Sequence, residues 1–144
     1  MTTANPVPLS VPSRHLGRSI LAILAGIPAG VIPTLLTDYL LQRVGCFPPT
    51  GGYASNGPLA FATFYRIVYG VFGSYVIARL APNRPMLHVM IAAAIGFLVN
   101  TAGAIATWNS NLGPHWYPIA LVVLTIPQAW LGAKLFLRNS TSSE

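Results

Sequence analysis

The sequence predicts an all-α membrane protein, an antiparallel bundle of four transmembrane helices. Three observations carry this expectation. Of the 144 residues, 53% are hydrophobic and only 7% are charged, against about 25% charged residues in an ordinary soluble domain. So few charges cannot build a water-facing surface, and lipid must cover most of it. Four apolar runs each reach the roughly 20 residues that a helix needs to cross a hydrocarbon core of about 30 Å. The basic residues flank these runs instead of gathering on one face, so the net charge of +6 points to membrane orientation and not to nucleic acid.

The runs extend from Arg18 to Val44, Leu59 to Leu80, Met86 to Thr107 and Tyr117 to Leu137. Prolines and glycines separate them. Cys46-Phe47-Pro48-Pro49-Thr50-Gly51-Gly52 opens the first loop. Pro82-Asn83-Arg84-Pro85 forms a tight second turn, with Pro85 suited to the first position of a helix. Asn109-Ser110-Asn111-Leu112-Gly113-Pro114 makes the third connection. The second and third loops are short, so neighbouring helices are expected to form antiparallel hairpins. Residues 18–138 are read as the transmembrane domain. Residues 1–17 and 139–144, polar and rich in Pro or in Ser and Thr, are read as disordered cytoplasmic tails. Arg14 and Arg18 before an apolar run also fit a signal peptide. The run is longer than a signal core and ends in no clear cleavage site, which favours a retained helix.

Charge sets the expected orientation. Arg14, Arg18, Arg79, Arg84, Lys134 and Arg138 all fall on one side, while the first and third loops hold no Lys or Arg. The positive-inside rule assigns that side, and both termini, to the cytoplasm. Phe47, Trp108, Trp116 and Tyr117 then lie at the outer interface, where amphipathic rings are favoured.

Ionisable groups inside spans are costly and need a partner or a wet cavity. Asp38 lies six residues before Val44, hence about 9 Å below the outer end of the first run at 1.5 Å per residue. Arg66 lies seven residues after Leu59, hence about 10 Å below the outer end of the second. Opposite charges at matched depth predict an ion pair. Asn100, Thr125 and the deeper Gln128 extend the layer, and Tyr65 and Tyr69 flank Arg66 as further donors. The layer admits two readings: a pair that pins helix register, or a polar cavity open to the outside that binds a solute or carries a proton. Arg43, nearer the outer end, is expected to snorkel to the interface.

Gly26-Ile27-Pro28-Ala29-Gly30 holds a small-xxx-small spacing that lets helices approach closely. Gly70 and Gly73 in the second span, and Ala102, Gly103 and Ala104 in the third, are assigned the same role. Internal packing is preferred to dimerisation for this stripe. Pro28, Pro33 and Pro127 each remove a helical hydrogen bond and can kink their helices.

No phosphate loop or dinucleotide fingerprint is present. His15 and His88 fall on one side and His115 on the other, so they cannot share a metal. The single cysteine, Cys46, excludes an intrachain disulfide, and its apolar context makes it a poor nucleophile. Asp38 is a weak base if Arg66 neutralises it. No catalytic residue, metal or cofactor is expected.

Three stretches carry a resemblance. They are Tyr65-Arg66 through Tyr69-Gly70 to Ala78-Arg79-Leu80-Ala81-Pro82-Asn83-Arg84-Pro85-Met86; Ala106-Thr107-Trp108-Asn109 with Gly113-Pro114-His115-Trp116-Tyr117-Pro118; and Pro127 to Trp130-Leu131-Gly132. With Thr37-Asp38 and Phe47-Pro48-Pro49, the chain resembles a group of small four-span bacterial membrane proteins without an assigned activity. The likeness covers most of the chain between Asp38 and Leu135 and implies the same architecture. In size the chain is also similar to small multidrug-resistance transporters. Those place an essential glutamate in mid first span, where this chain has none.

The leading expectation is a non-enzymatic accessory or interaction protein. Its partners would be the lipid bilayer and a second copy or another membrane protein, with no nucleic acid. The second is a small oligomeric transporter or channel that uses the layer around Asp38 and Arg66. An intramembrane enzyme comes third.

Overall fold

The computed structural model describes residues 13–141. Residues 1–12 and 142–144, where most of the two expected tails fall, lie outside the described residues, as do the side chains of 13–15, Arg14 and His15 among them. Four helices follow in order: α1 (Ser13–Arg43), α2 (Asn56–Leu80), α3 (Pro85–Thr107) and α4 (Trp116–Thr141). No strand occurs among the described residues. All four helices are long and apolar enough to cross a membrane. The molecule is an all-α bundle and a multi-pass membrane protein.

The helices outrun the apolar segments. Residues 13–17 and 139–141, expected in the tails, are helical. An apolar run ends where polarity begins, but a helix ends where its backbone loses partners or meets a proline. At the far end the Ser140 and Thr141 hydroxyls donate to the carbonyls of Phe136 and Leu137 at 3.0 and 2.9 Å, occupying acceptors of the last turn.

The helix termini follow their local chemistry. α1 stops at a glycine: Gly45 adopts φ 77°, and the Cys46 amide reaches back to the Leu41 carbonyl at 2.9 Å. That bond closes a Schellman-type end, which requires the left-handed conformation that glycine adopts without a Cβ clash. α3 begins with Pro85 at its first position, as expected. α1 continues unbroken through Pro28 and Pro33, and α4 through Pro127.

Helix packing departs from a simple chain of hairpins. α2 lies between α1 and α4, and α3 packs mainly on α4. Although a tight turn joins α2 to α3, the two share only a minor contact. Small residues on two faces of α2 explain the order. A Cβ on Gly73 would lie 2.8 Å from the Gly26 carbonyl oxygen and 3.1 Å from the Gly30 nitrogen. A Cβ on Gly132 of α4 would lie 2.4 Å from the Val71 carbonyl oxygen and 2.7 Å from Ser74 Cβ. Backbones that approach this closely gain dispersion contacts that lipid tails cannot match. The Gly26/Gly30 stripe thus serves internal packing. The assignment for Ala102, Gly103 and Ala104 needs correction: Ala102 and Gly103 are exposed, and a Cβ on Gly103 would meet nothing within 4 Å. In α3 the close approach falls two turns lower, at Ala93 and Gly96, which face α4.

The two ends of the bundle differ. Ile77, Ala78, Val89, Ala93, Ala129 and Ala133 form a buried apolar core near the end that carries Arg18, Arg79, Arg84, Lys134 and Arg138. We call this the basic end. The opposite, loop end holds Asp38, Arg66, Asn100 and the larger of two cavities. Large apolar side chains such as Leu36, Phe64, Leu98 and Val123 point outward, each at least half exposed, as a lipid-facing surface requires.

Candidate functional site

The polar layer exists, and its centre is a direct ion pair. Arg66 Nη2 donates to Asp38 Oδ2 at 2.5 Å. The Tyr65 hydroxyl donates to Asp38 Oδ1. Antiparallel α1 and α2 place the two charges face to face because the Gly26–Gly30–Gly73 approach fixes their register about two to three turns below. Tyr69 does not reach the pair. Its hydroxyl meets Thr37 Oγ1 at 3.1 Å instead, one helical turn below Tyr65. The second half of the layer joins α3 to α4: Asn100 Nδ2 donates to Thr125 Oγ1 at 2.7 Å, and Thr125 Oγ1 donates to the Leu121 carbonyl at 2.6 Å. Gln128 belongs to a third contact, its amide lying against Gly70 where a Cβ would clash at 2.6 Å.

The pair is bonded yet not sealed. The side chains of Arg66 and Asp38 are 31% and 26% exposed, because they floor a cavity of about 540 Å³ at the loop end. The first and third loops roof this cavity together. The Ala54 amide donates to the Leu112 carbonyl at 2.8 Å, and Trp116 Nε1 donates to Asn56 Oδ1 at 2.8 Å. Phe47, Trp108 and Tyr117 line the space, with Asn100 at its lower edge. Trp108 stacks against His115 with centroids 4.5 Å apart.

A second cavity of about 360 Å³ lies deeper among the four helices. Its walls are mainly glycines and aliphatic side chains, with Thr34, Thr63, Ser74, Thr125 and Gln128 as polar members besides Arg66 and Asn100. Arg66, Val99, Asn100 and Leu121 line both cavities. Ile27 and Val31 of α1 and Ile95 and Val99 of α3 also line the deeper one while remaining exposed on the bundle surface. The slight α1–α3 contact therefore leaves a seam beside it. Toward the basic end the core around Ile77 and Ala129 closes it.

Among the interface residues, Phe47 is half-buried, and Trp108 and Trp116 are partly exposed at the loop end. Tyr117 does more than sequence reasoning assigned. Its ring lies 6.0 Å from the Arg66 guanidinium carbon, a cation–π distance. Thr37, Asn56 and His115 were also missed as members of the site. Only Thr37, beside Asp38 in the chain, could have been flagged by spacing. Arg43 stays exposed, its Nε donating to the Tyr39 hydroxyl at 2.9 Å. Of the basic flank, Arg18, Arg79, Arg84, Lys134 and Arg138 are exposed, and Lys134 sits 4.4 Å over the Trp130 ring.

Comparison of the chain with protein-family models, with curated proteins and with solved structures finds no match in any of the three.

Proposed function

We propose that this protein is a non-enzymatic accessory protein of the bacterial inner membrane, with both termini cytoplasmic, and that it acts by binding at its loop end. One observation carries the reading: a cavity of about 540 Å³ roofed by two hydrogen-bonded loops and floored by the Asp38–Arg66 pair. Its volume lies within the roughly 300–1,000 Å³ of small-molecule sites, and a few convergent polar groups in a mainly apolar wall are typical of them. The sealed core at the basic end supports binding over passage. Orientation rests on the five exposed basic side chains at that end together with Arg14.

A second reading, an oligomeric transporter or channel, is favoured by the deeper cavity that begins where the outer one ends, at Arg66 and Asn100. Thiol labelling separates the two. In a Cys46→Ser background, Asn100→Cys should react with an impermeant reagent from the loop side, and Ala93→Cys should be inert from both sides. Proteoliposomes should show no proton or ion leak above empty vesicles. Labelling of Ala93→Cys from the basic side, or a leak that Asp38→Asn abolishes, would replace the accessory reading by transport.

A further inference from the structure

The ligand class of the loop-end site can be read from what Arg66 leaves unused, an inference that rests on the binding reading above. Arginine carries five N–H donors and no acceptor. One donor of Nη2 goes to Asp38. The Nε–H is buried and has no partner. That Nε–H is closed off from both cavities, so the donors open to a ligand are the remaining Nη N–H groups of a side chain 31% exposed where the two cavities meet. Asn100, on the same wall, spends one amide hydrogen on Thr125 and keeps a second. An acceptor-only group with two oxygens satisfies this arrangement, and a planar carboxylate matches the guanidinium fork.

The space beneath Arg66 defines the rest of the molecule. The deeper cavity runs from Arg66 to Ile77, eleven residues along α2 or roughly 16 Å. Gly26, Gly30, Gly70, Gly73 and Gly96 line it, and of the five only Gly96 faces room for a side chain, a Cβ there meeting just Thr125 Cγ2 at 3.4 Å. The Thr34, Thr63 and Thr125 hydroxyls on these walls donate to carbonyls of their own helices, so a free polar solute would desolvate here for few partners. An alkyl chain of medium length fits both the length and the chemistry. A phosphate dianion fits less well, since Asp38 already offsets the Arg66 charge and a dianion would bring twice the uncompensated charge of a carboxylate.

We propose that the two cavities together hold one medium-chain carboxylate, its headgroup on Arg66 and Asn100 and its chain in the glycine-lined space toward Ile77. The test uses the full chain in a mild detergent with dodecanoate, dodecanol, dodecyl phosphate and acetate as probes. Native mass spectrometry counts retained molecules, and titration gives Kd. One dodecanoate per chain is expected, with the other three at least roughly tenfold weaker, the loss associated with a charge-assisted bidentate contact. The Asp38→Asn/Arg66→Gln double variant keeps the local charge balanced and should stay folded by circular dichroism while losing about tenfold in dodecanoate affinity. Gly96→Leu should weaken dodecanoate and spare acetate, because it narrows the space one helical turn, about 6 Å, below the headgroup. Dodecanol binding as tightly as dodecanoate would overturn the carboxylate assignment. So would unchanged affinity in a folded double variant. Retention of none of the four probes by a protein whose Asn100→Cys still labels from the loop side would refute the ligand class and leave the loop-end cavity intact. Loss of both would remove the binding reading as well.

Discussion

Asp38 and Arg66 meet within a hydrogen bond of each other, and their cost and value are those of charges in a mostly apolar bundle. Removing one partner leaves the other uncompensated, which is worse than removing both. Because each keeps a quarter to a third of its side-chain surface open to the cavity, the penalty falls below that of a dry pair. Asp38→Asn and Arg66→Gln should each lower stability by roughly 2–4 kcal/mol, and the double variant should recover part of that loss. Thermal unfolding in detergent, read as a double-mutant cycle, measures the coupling. Simple addition of the two effects would show that the pair contributes nothing as a pair. Tyr65→Phe should cost less, about 1–2 kcal/mol, since it deletes one donor to Asp38 and leaves the Arg66 bond in place.

At the scale of the elements, glycine position decides which helices touch. Gly73 sits against the Gly26 and Gly30 backbones and Gly132 against Val71 and Ser74, so a methyl group at either must push two helices apart. Gly73→Ala and Gly132→Ala should each destabilise by about 1–3 kcal/mol. Gly103, equally helical but with nothing within 4 Å, should respond in the opposite direction: Gly103→Ala should be neutral or stabilising by up to about 1 kcal/mol. Unfolding midpoints of the three variants check the contrast, and equal losses at all three sites would show that close approach is irrelevant. The loop-end cap is the other element-level unit. Trp116 bonds Asn56 and contacts Tyr117 edge-on, while Phe47 lines the cavity. Joint substitution Phe47→Ala/Trp116→Ala should lower stability by about 2 kcal/mol and raise the labelling rate of Asn100→Cys, because the roof is lost. An unchanged labelling rate would mean that the loops do not cover the site.

For the whole molecule, the asymmetry of its ends fixes an expected orientation. The basic side chains gather at the end closed by the Ile77–Ala129 core, and the open cavity faces the other way. In intact cells carrying Cys46→Ser, a cysteine at Ser110 should react with an impermeant reagent and one at Asn83 should not. The reverse pattern would invert the protein without altering its four spans.

Much of this was legible without coordinates because membrane insertion writes one-dimensional signals. Span number follows from apolar run length, Pro85 marks a helix start, and matched depth pairs Asp38 with Arg66, since a charge in lipid must find its opposite. Helix order in space, however, is set by which faces interlock, and short-range sequence carries no mark of that. Hence the α2–α3 hairpin proved a minor contact, Gly103 and Ala104 came to line the loop-end cavity instead of a helix contact, and Tyr117 turned toward Arg66. The cavities belong to the same class of fact. They are gaps left between four surfaces, and a gap exists only once tertiary packing has decided where every neighbour stands. The sequence by itself determined the solvent of this protein and the residues it could not leave unpaired; the tertiary structure alone decided that those residues border open space.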